Sequence, residues 1–172
     1  LIANTDAAVS LVLRLLKQRP ELLTQAHGPG PFYGENLLHV LAVNQREAEA
    51  IELLELAAAA LDDAPLRSFL ASMARGEFFT LEPMCWYGGS PVAYLCSFRA
   101  IAVLQHLYAT PRLRALVGPD DERLRCPISG YLPIHAAVAN SRMEAFDFLV
   151  SQGASTRALT VPTAGPGPQA EL

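Results

Sequence analysis

The sequence predicts an all-α fold, a solenoid of stacked helix-turn-helix repeats joined by long loops. Two observations carry this prediction. Apolar residues recur at helical spacing after each of three glycines, Gly34, Gly88 and Gly130. The composition, 51% hydrophobic but only 8% aromatic, suits the small alanine and leucine contacts of packed helices. Because a pair of short helices cannot bury its own apolar face, such pairs must stack on one another.

A first helix is predicted over residues 6–18, with Asp6 as its cap and Pro20 beyond its end. The Gly/Pro-rich loop at 27–31 then excludes regular structure. Residues 1–31 are therefore interpreted as a partial repeat that contributes only an outer helix. The expected apolar face of this helix consists of Ala8, Leu11, Val12, Leu15 and Leu16.

Residues 32–74 predict the first complete repeat. Gly34 supplies a turn, Asn36 stands at the cap position, and His39 lies on the short inner helix that follows. An outer helix is expected over residues 46–61. The residues expected to face inward are Ile51, Leu54 and Ala58.

Residues 75–118 repeat this pattern. Gly88 again precedes the inner helix, Ser90 is its cap, and Pro91 occupies the first turn, where a missing N–H costs nothing. An outer helix is expected over residues 100–109, and Thr110 and Pro111 are expected to stop it.

Residues 119–157 give the last copy. Gly130, Pro133 and His135 stand at the turn, first-turn and histidine positions. Asn140 and Ser141 are both candidates to accept bonds from the free N–H groups of the outer helix. The outer helix carries Met143, Phe146, Leu149 and Val150 at helical spacing, and Gly153 is expected to end it.

The order of glycine turn, capped inner helix and outer helix is that of an ankyrin repeat. The turn glycines lie 54 and 42 residues apart, more than the roughly 33 residues of an ordinary repeat of this kind. The excess falls in two long loops, or fingers, at 62–87 and 110–129, the first of which is expected to begin with an extra helix after Asp63. Residues 1–157 are thus predicted to be one ankyrin repeat domain, and the Pro/Gly-rich residues 158–172 a disordered tail.

Several classes of function are not supported by the residues. A net charge of −4 and a pI of about 5.5 argue against nucleic-acid binding. The three cysteines show no CxxC spacing, and no apolar run is long enough to span a bilayer. No GxSxG motif occurs, and HGPGP lacks the GK[ST] of a phosphate loop. We therefore expect no enzyme activity, no metal site and no cofactor, and we expect His39 and His135 to bond the backbone of a neighbouring turn.

Four stretches resemble the cytosolic N-terminal ankyrin domain of vanilloid-type TRP cation channels. They are FYGENLLHVLAVNQR at 32–46, ARGEFF at 74–79, CWYGGSPVAYLCS at 85–97 and SGYLPIHAAV at 129–138. Leu37 and Val43 depart from the alanine and glutamate usual in that family. The ordered combination of Gly-x-Phe-Phe and Tyr-Gly-x-x-Pro-x-x-x-x-Cys carries the resemblance, which spans roughly residues 6–155.

The resemblance implies a regulatory and assembly domain on the cytoplasmic side of a membrane, part of a tetrameric channel for ion transport, calcium included. Its partners would be other channel subunits and regulators such as calmodulin. Some members also bind ATP on the concave face. The corresponding positions here are Phe32, Glu35 and Val43, and an added carboxylate repels phosphate, so we expect no ATP binding. The alternative to a channel is a free-standing ankyrin adaptor that binds a soluble protein.

Aromatic residues of the fingers are the candidate contacts for a partner, since aromatic side chains are enriched in binding hot spots. The alternative is that they pack on each other and stiffen the finger, and the two can combine, with Phe78 and Phe79 buried and Trp86 exposed. Four arginines of the second finger could meet an acidic surface, but the acidic residues among them favour self-compensation. The candidate contact residues are Phe32, Tyr33, Glu35, Phe78, Phe79, Trp86 and Tyr87.

Overall fold

The computed structural model describes residues 4–81 and 84–161, and within these ranges the chain is helical and contains no β-strand. Three short 3-10 helices accompany the α-helices, at Pro20–Thr24, Met84–Tyr87 and Glu122–Leu124. The predicted all-α class is therefore confirmed for the described residues. The α-helices are α1 Asp6–Gln18, α2 Leu37–Val43, α3 Glu47–Ala60, α4 Asp63–Leu70, α5 Glu77–Thr80, α6 Pro91–Ser97, α7 Ile101–Ala109, α8 Pro111–Leu116, α9 Pro133–Ala139 and α10 Met143–Ser151.

Three pairs of helices stack in chain order. The short first members form one row, in which α2 contacts α6 and α6 contacts α9. The longer second members form another row, in which α3 contacts α7 and α7 contacts α10. Helix α1 packs against α3 at the end of this second row. We call the first row the inner helices and the second row the outer helices.

The glycine turns ahead of the inner helices have the predicted conformation. Gly34, Gly88 and Gly130 have φ angles of 85°, 73° and 73°. A side chain is strained at such angles, and at Gly34 a Cβ atom would also lie 2.0 Å from the backbone oxygen of Met73. Gly153, with φ at 99°, follows α10 as expected.

The starts of the inner helices follow the predicted capping. The Asn36 carboxamide oxygen accepts from the N–H groups of Leu38 and His39, and the Ser90 hydroxyl accepts from that of Ala93. Pro91 and Pro133 are the first residues of α6 and α9. At α1 the cap is Thr5, whose hydroxyl accepts from Ala8, and the predicted cap Asp6 is instead the first helical residue.

The turn from each inner helix to its outer helix repeats one unusual feature. Gln45, Arg99 and Ser141, each two residues before the outer helix, have φ angles of 55°, 63° and 54°. This conformation is uncommon outside glycine, and its recurrence at one position shows that the three pairs share a backbone frame. Asn140 and Ser141 do not cap α10, since the N-cap residue is Arg142 and has no side-chain bond.

Two predicted apolar faces differ from those observed. In α1 the buried residues are Val9, Leu13 and Leu16, whereas the side chains of Leu11 and Leu15 are 60% and 45% exposed. Helix α1 is therefore apolar on a second side, which no described element covers. In α3 the set shifts by about one residue, with Ile51 and Ala58 half-buried. The buried residues of α3 are Ala50, Leu53, Leu54 and Ala57.

The long fingers contain more helix than the sequence predicted. Helix α4 begins at Asp63 as expected. Helix α7 ends at Ala109, before Thr110 and Pro111, as predicted, and Pro111 then starts a further helix, α8, because proline fits the first turn of a new helix. The Arg112 guanidinium bonds Asp63 Oδ1 and the backbone oxygen of Leu61, at 2.8 and 2.7 Å, which fastens α8 to the start of α4. Residues 162–172, most of the expected disordered tail, lie outside the described residues.

Candidate functional site: an aromatic surface on two neighbouring loops

Two loops, at 27–35 and at 75–81, the second of which contains the single turn of α5, lie side by side at the start of the stack. The Arg75 N–H donates to the backbone oxygen of Tyr33 at 2.7 Å, and the Phe78 N–H donates to that of Pro31 at 3.0 Å. Gly76 lies between these bonds, where a Cβ atom would be 2.0 Å from the Pro31 oxygen. The two loops are thus held at a fixed distance by their backbones.

Aromatic side chains from both loops meet on the outside of this junction. The rings of Phe32 and Phe78 lie 5.4 Å apart between centroids, and the side chains are 44% and 43% exposed. Tyr33, the next residue along, is 45% exposed. We call these three residues the aromatic surface. Large rings held half in solvent by a fixed backbone are typical of protein contact sites.

Three other predicted contact residues lie inside the protein, around Tyr94 of α6. Phe79 is 1% exposed, and its ring stacks 6.2 Å from that of Tyr94. Tyr87 is half-buried and meets Tyr94 edge to face at 6.4 Å. Phe79 is therefore buried as expected, but Phe78 is not: the two neighbouring rings point in opposite directions, so that Phe79 packs inside the protein while Phe78 is 43% exposed.

Glu35 is also buried, and the structure corrects its predicted place in the contact set. Its Oε1 accepts a hydrogen bond of 3.3 Å from the Tyr94 hydroxyl, and only 8% of the residue is exposed. Burial raises the pKa of the Glu35 carboxyl, and the bond from Tyr94 opposes that rise. The carboxyl therefore points into the stack. The sequence analysis had instead assumed that it faces the concave surface, where it would repel the phosphates of ATP.

Both repeat histidines take the predicted structural role. His39 Nε2 lies 3.1 Å from the backbone oxygen of Gly89, and its Nδ1 accepts from the Asn36 N–H at 3.0 Å. His135 Nε2 makes the corresponding contact with the Ala158 oxygen at 2.9 Å. Complete burial lowers the pKa of His39 to about 4, so the ring is neutral and joins two neighbouring helix pairs.

Trp86 lies apart from the two loops, beside α9. Its side chain is 45% exposed, as predicted, and its backbone oxygen accepts from the Asn140 carboxamide at 3.2 Å. The seven predicted contact residues therefore divide into the aromatic surface, the buried group around Tyr94, and Trp86.

Tyr94 is the residue that sequence reasoning missed. It is 1% exposed, lies edge to face with His39 at 4.7 Å, and holds Glu35. The sequence did contain an indication of this role. The fourth residue of α2 is Val40 and that of α9 is Ala136, so the tyrosine at the same position of α6 is much larger than its counterparts. Nothing local in the sequence indicates that its partner is a glutamate 59 residues away.

Two of the four arginines of the second finger pair with acidic residues of the same finger, as predicted, whereas Arg112 pairs with Asp63 of α4. Arg123 contacts Asp121 at 2.6 Å and Arg125 contacts Glu122 at 2.5 Å. Among the described residues, no group of three or more His, Cys, Asp or Glu side chains could hold a metal ion. The described helices also include none with the length and apolar character needed to cross a membrane. No family model, curated protein or solved structure matches the chain.

Proposed function

We propose that the three stacked helix pairs are ankyrin repeats, preceded by the outer helix of a fourth. Two features that recur in register support this: the positive φ of the glycine before each inner helix, and the positive φ of Gln45, Arg99 and Ser141 before each outer helix. The histidine of one repeat reaches the backbone of the next turn in two places. These are backbone features of one repeating unit.

The function that the site supports best is protein–protein association, as the cytosolic regulatory and assembly domain of a vanilloid-type cation channel. The observation that carries association is the aromatic surface, in which Phe32 and Phe78 pair across two backbone-locked loops and remain over 40% exposed. The channel assignment is supported by the sequence resemblance, whose Gly-x-Phe-Phe segment provides Phe78. The partner on this proposal is the cytosolic part of a neighbouring subunit.

The first test is to extend the reading frame beyond residue 172. Six apolar spans with a pore loop between the last two are expected. A stop codon, or another domain without such spans, would favour the free-standing adaptor and would contradict the channel assignment.

The second test uses the subunit that this reading frame encodes. Phe32→Ser combined with Phe78→Ser should weaken binding of the purified domain to the cytosolic part of a neighbouring subunit by at least about tenfold, as expected for two hot-spot aromatics. Leu159→Ser is the matched control, because Leu159 is 73% exposed but belongs to neither loop. Equal binding by the double variant and the control, with unchanged circular dichroism, would sink the contact assignment.

A further inference from the structure

Three buried polar atoms lie where α4, α7 and the second finger meet, and none of them has a hydrogen-bond partner among the described residues. They are Arg67 Nε of α4, the Tyr108 hydroxyl oxygen of α7 and Asp120 Oδ1 of the loop that follows α8. Burying a polar atom without a partner costs free energy, because the bonds that water made to it are lost. Native proteins therefore pair almost all such atoms, either with protein groups or with ordered water.

Helix α8 brings these three segments together. It packs against α7 and against α4, and its last residue, Leu116, leads into the loop that carries Asp120. The Arg123 guanidinium donates to the Leu116 backbone oxygen at 3.2 Å, which folds this loop back onto the end of α8. Asp120 is therefore held beside the two helices that carry Arg67 and Tyr108.

The Tyr108 side chain lies within electrostatic reach of this loop. It is 2% exposed, and its ring packs edge to face against Phe148 at 5.9 Å. Burial raises the pKa of its hydroxyl, and the neighbouring Cys96, Asp120 and Asp121 raise it further. The hydroxyl is thus a neutral, buried group that lies near two carboxylates and is bonded to neither of them.

The nearest carboxylate to Arg67 is already engaged by another arginine. Asp121, whose side chain is only 11% exposed, accepts from Arg123 Nε at 2.9 Å on one oxygen and from Arg123 Nη2 at 2.6 Å on the other. Burial raises the pKa of Asp121, but the hydrogen bonds from Arg123 and the charges of Arg123 and Arg67 outweigh it and hold the pKa below its usual value. Arg67 is therefore close enough to act on this carboxylate, yet its buried Nε makes no bond to it.

The Asp120 carboxylate is fixed by one of its oxygens only. Oδ2 accepts from the backbone N–H of Ser155 at 2.8 Å, which ties the second finger to the chain that follows α10. Oδ1 is the buried atom without a partner. The residues Asp120 and Arg67 are half-buried as a whole, so the path from solvent to these atoms is short.

The bonding character of the three atoms selects one kind of ligand. Arg67 Nε can only donate, an ionised carboxylate oxygen can only accept, and a tyrosine hydroxyl can do either. A metal ion cannot accept from the Arg67 N–H, and an anion would be repelled by the Asp120 and Asp121 carboxylates. A water molecule accepts two hydrogen bonds and donates two, so it satisfies all three atoms at once.

We propose that one ordered water molecule binds where α4, α7 and the second finger meet, where it accepts from Arg67 Nε and from the Tyr108 hydroxyl and donates to Asp120 Oδ1. Buried waters of this kind make about three hydrogen bonds to groups that lack other partners. This water holds the Asp120 carboxylate in the orientation that binds Ser155, and so it joins the finger to two helices and to the chain after α10. The inference depends neither on the proposed repeats nor on the aromatic surface.

The first test is urea unfolding of Tyr108→Phe, which removes the hydroxyl and keeps the ring. If the hydroxyl donates to a bound water, the unfolding equilibrium constant should rise about fivefold, as expected for one lost hydrogen bond. Tyr131→Phe is the control, because Tyr131 is half-buried and its hydroxyl makes no hydrogen bond among the described residues, so the constant should stay within about twofold. An unchanged or smaller constant for Tyr108→Phe would overturn the proposal, since removal of an unpaired buried hydroxyl does not destabilise a fold.

The second test asks whether Arg67 and Tyr108 share one ligand. In a double-mutant cycle of Arg67→Met and Tyr108→Phe, the second change should cost less once the first is present, with a coupling of at least about threefold in the unfolding constant. Independent effects of the two changes would contradict a shared water.

A crystal structure of the chain separates a water from a direct contact. It should show one water peak within about 3.2 Å of all three atoms. A direct bond between any two of them, or from the Tyr108 hydroxyl to the Cys96 sulfur, would overturn the proposal. The subunit-binding test of Phe32 and Phe78 involves other residues, so its failure would leave these results unchanged.

Discussion

The stability of the fold should fall in mild acid because of one buried histidine. His39 is 0% exposed, its pKa is lowered from 6.5 to about 4 by burial, and its two ring nitrogens are both used in the neutral form. Above pH 6.5 the ring is neutral in both folded and unfolded chain. Between pH 6.5 and about 4 only the unfolded chain takes up the proton, so stability is lost as the pH falls through this window.

The size of the effect follows from the pKa difference. At about 1.4 kcal/mol per pKa unit, the drop from 6.5 to about 4 corresponds to roughly 3 kcal/mol. That is a large part of the stability of an ordinary domain, about 5–15 kcal/mol. The loss should accumulate at close to 1.4 kcal/mol per pH unit in the middle of the window.

The assay is urea unfolding at several pH values for the wild type and for His39→Gln. Glutamine keeps an amide donor for Gly89 but does not titrate, so the difference between the two proteins removes the contribution of the carboxylates. This difference should shrink by roughly 3 kcal/mol between pH 7.5 and pH 4.

A flat difference curve for His39→Gln would refute the reasoning, and so would a ring titration by NMR with its midpoint near 6.5. Either result would mean that water reaches the His39 ring and that its contact with the Gly89 oxygen does not hold α2 against the turn before α6.

Two further predictions concern the same junction. In urea unfolding, Gly34→Ala should destabilise the fold by about 2 kcal/mol or more, because the new Cβ atom would stand at a positive φ and clash with the Met73 oxygen. Gly28→Ala is the control: a Cβ atom there would meet no atom within 4 Å, so the free energy of unfolding should change by no more than about 0.5 kcal/mol. Equal effects of the two would contradict the assigned turn. Glu35→Gln should be more stable than the wild type at pH 7, since a carboxyl whose pKa is raised by folding loses stability as it ionises, and this advantage should disappear below pH 4.5. A less stable variant at pH 7 would show that the Glu35 carboxylate is a net stabilising partner of Tyr94.

The features that the sequence predicted correctly are the ones that depend on local chemistry. Glycine turns, the caps Asn36 and Ser90, and the prolines at the first helical turns follow from residues a few positions apart. The burial of α1 was mispredicted for a different reason. Apolar residues do recur along α1 at helical spacing, but this spacing does not indicate which of two apolar sides packs against another element. Leu11 and Leu15 remain exposed because no described element covers their side of the helix.

The candidate site could be predicted only in part, because its arrangement depends on contacts between distant residues. The cluster of aromatic residues is visible in the sequence, and so is the outward position of Trp86. The inward direction of Glu35 is not, since it depends on the Tyr94 hydroxyl 59 residues away. The pairing of Phe32 with Phe78 likewise depends on backbone bonds between two loops whose separation in sequence carries no signal.

The tyrosine at the fourth position of α6 means that the three helix pairs are not interchangeable, although their backbone turns are alike. Tyr94 fits against Glu35 and His39 on the side of α2, whereas α9 presents only Ala136 at this position. If the middle pair were deleted and α9 moved up against α2, the frame would still match, but the Glu35 carboxyl would face a methyl group with no hydroxyl to bond. The buried hydrogen bond between Tyr94 and Glu35 therefore favours one order of the helix pairs. Loss or exchange of a pair would leave the Glu35 carboxyl without its partner, even where the backbones still fit together.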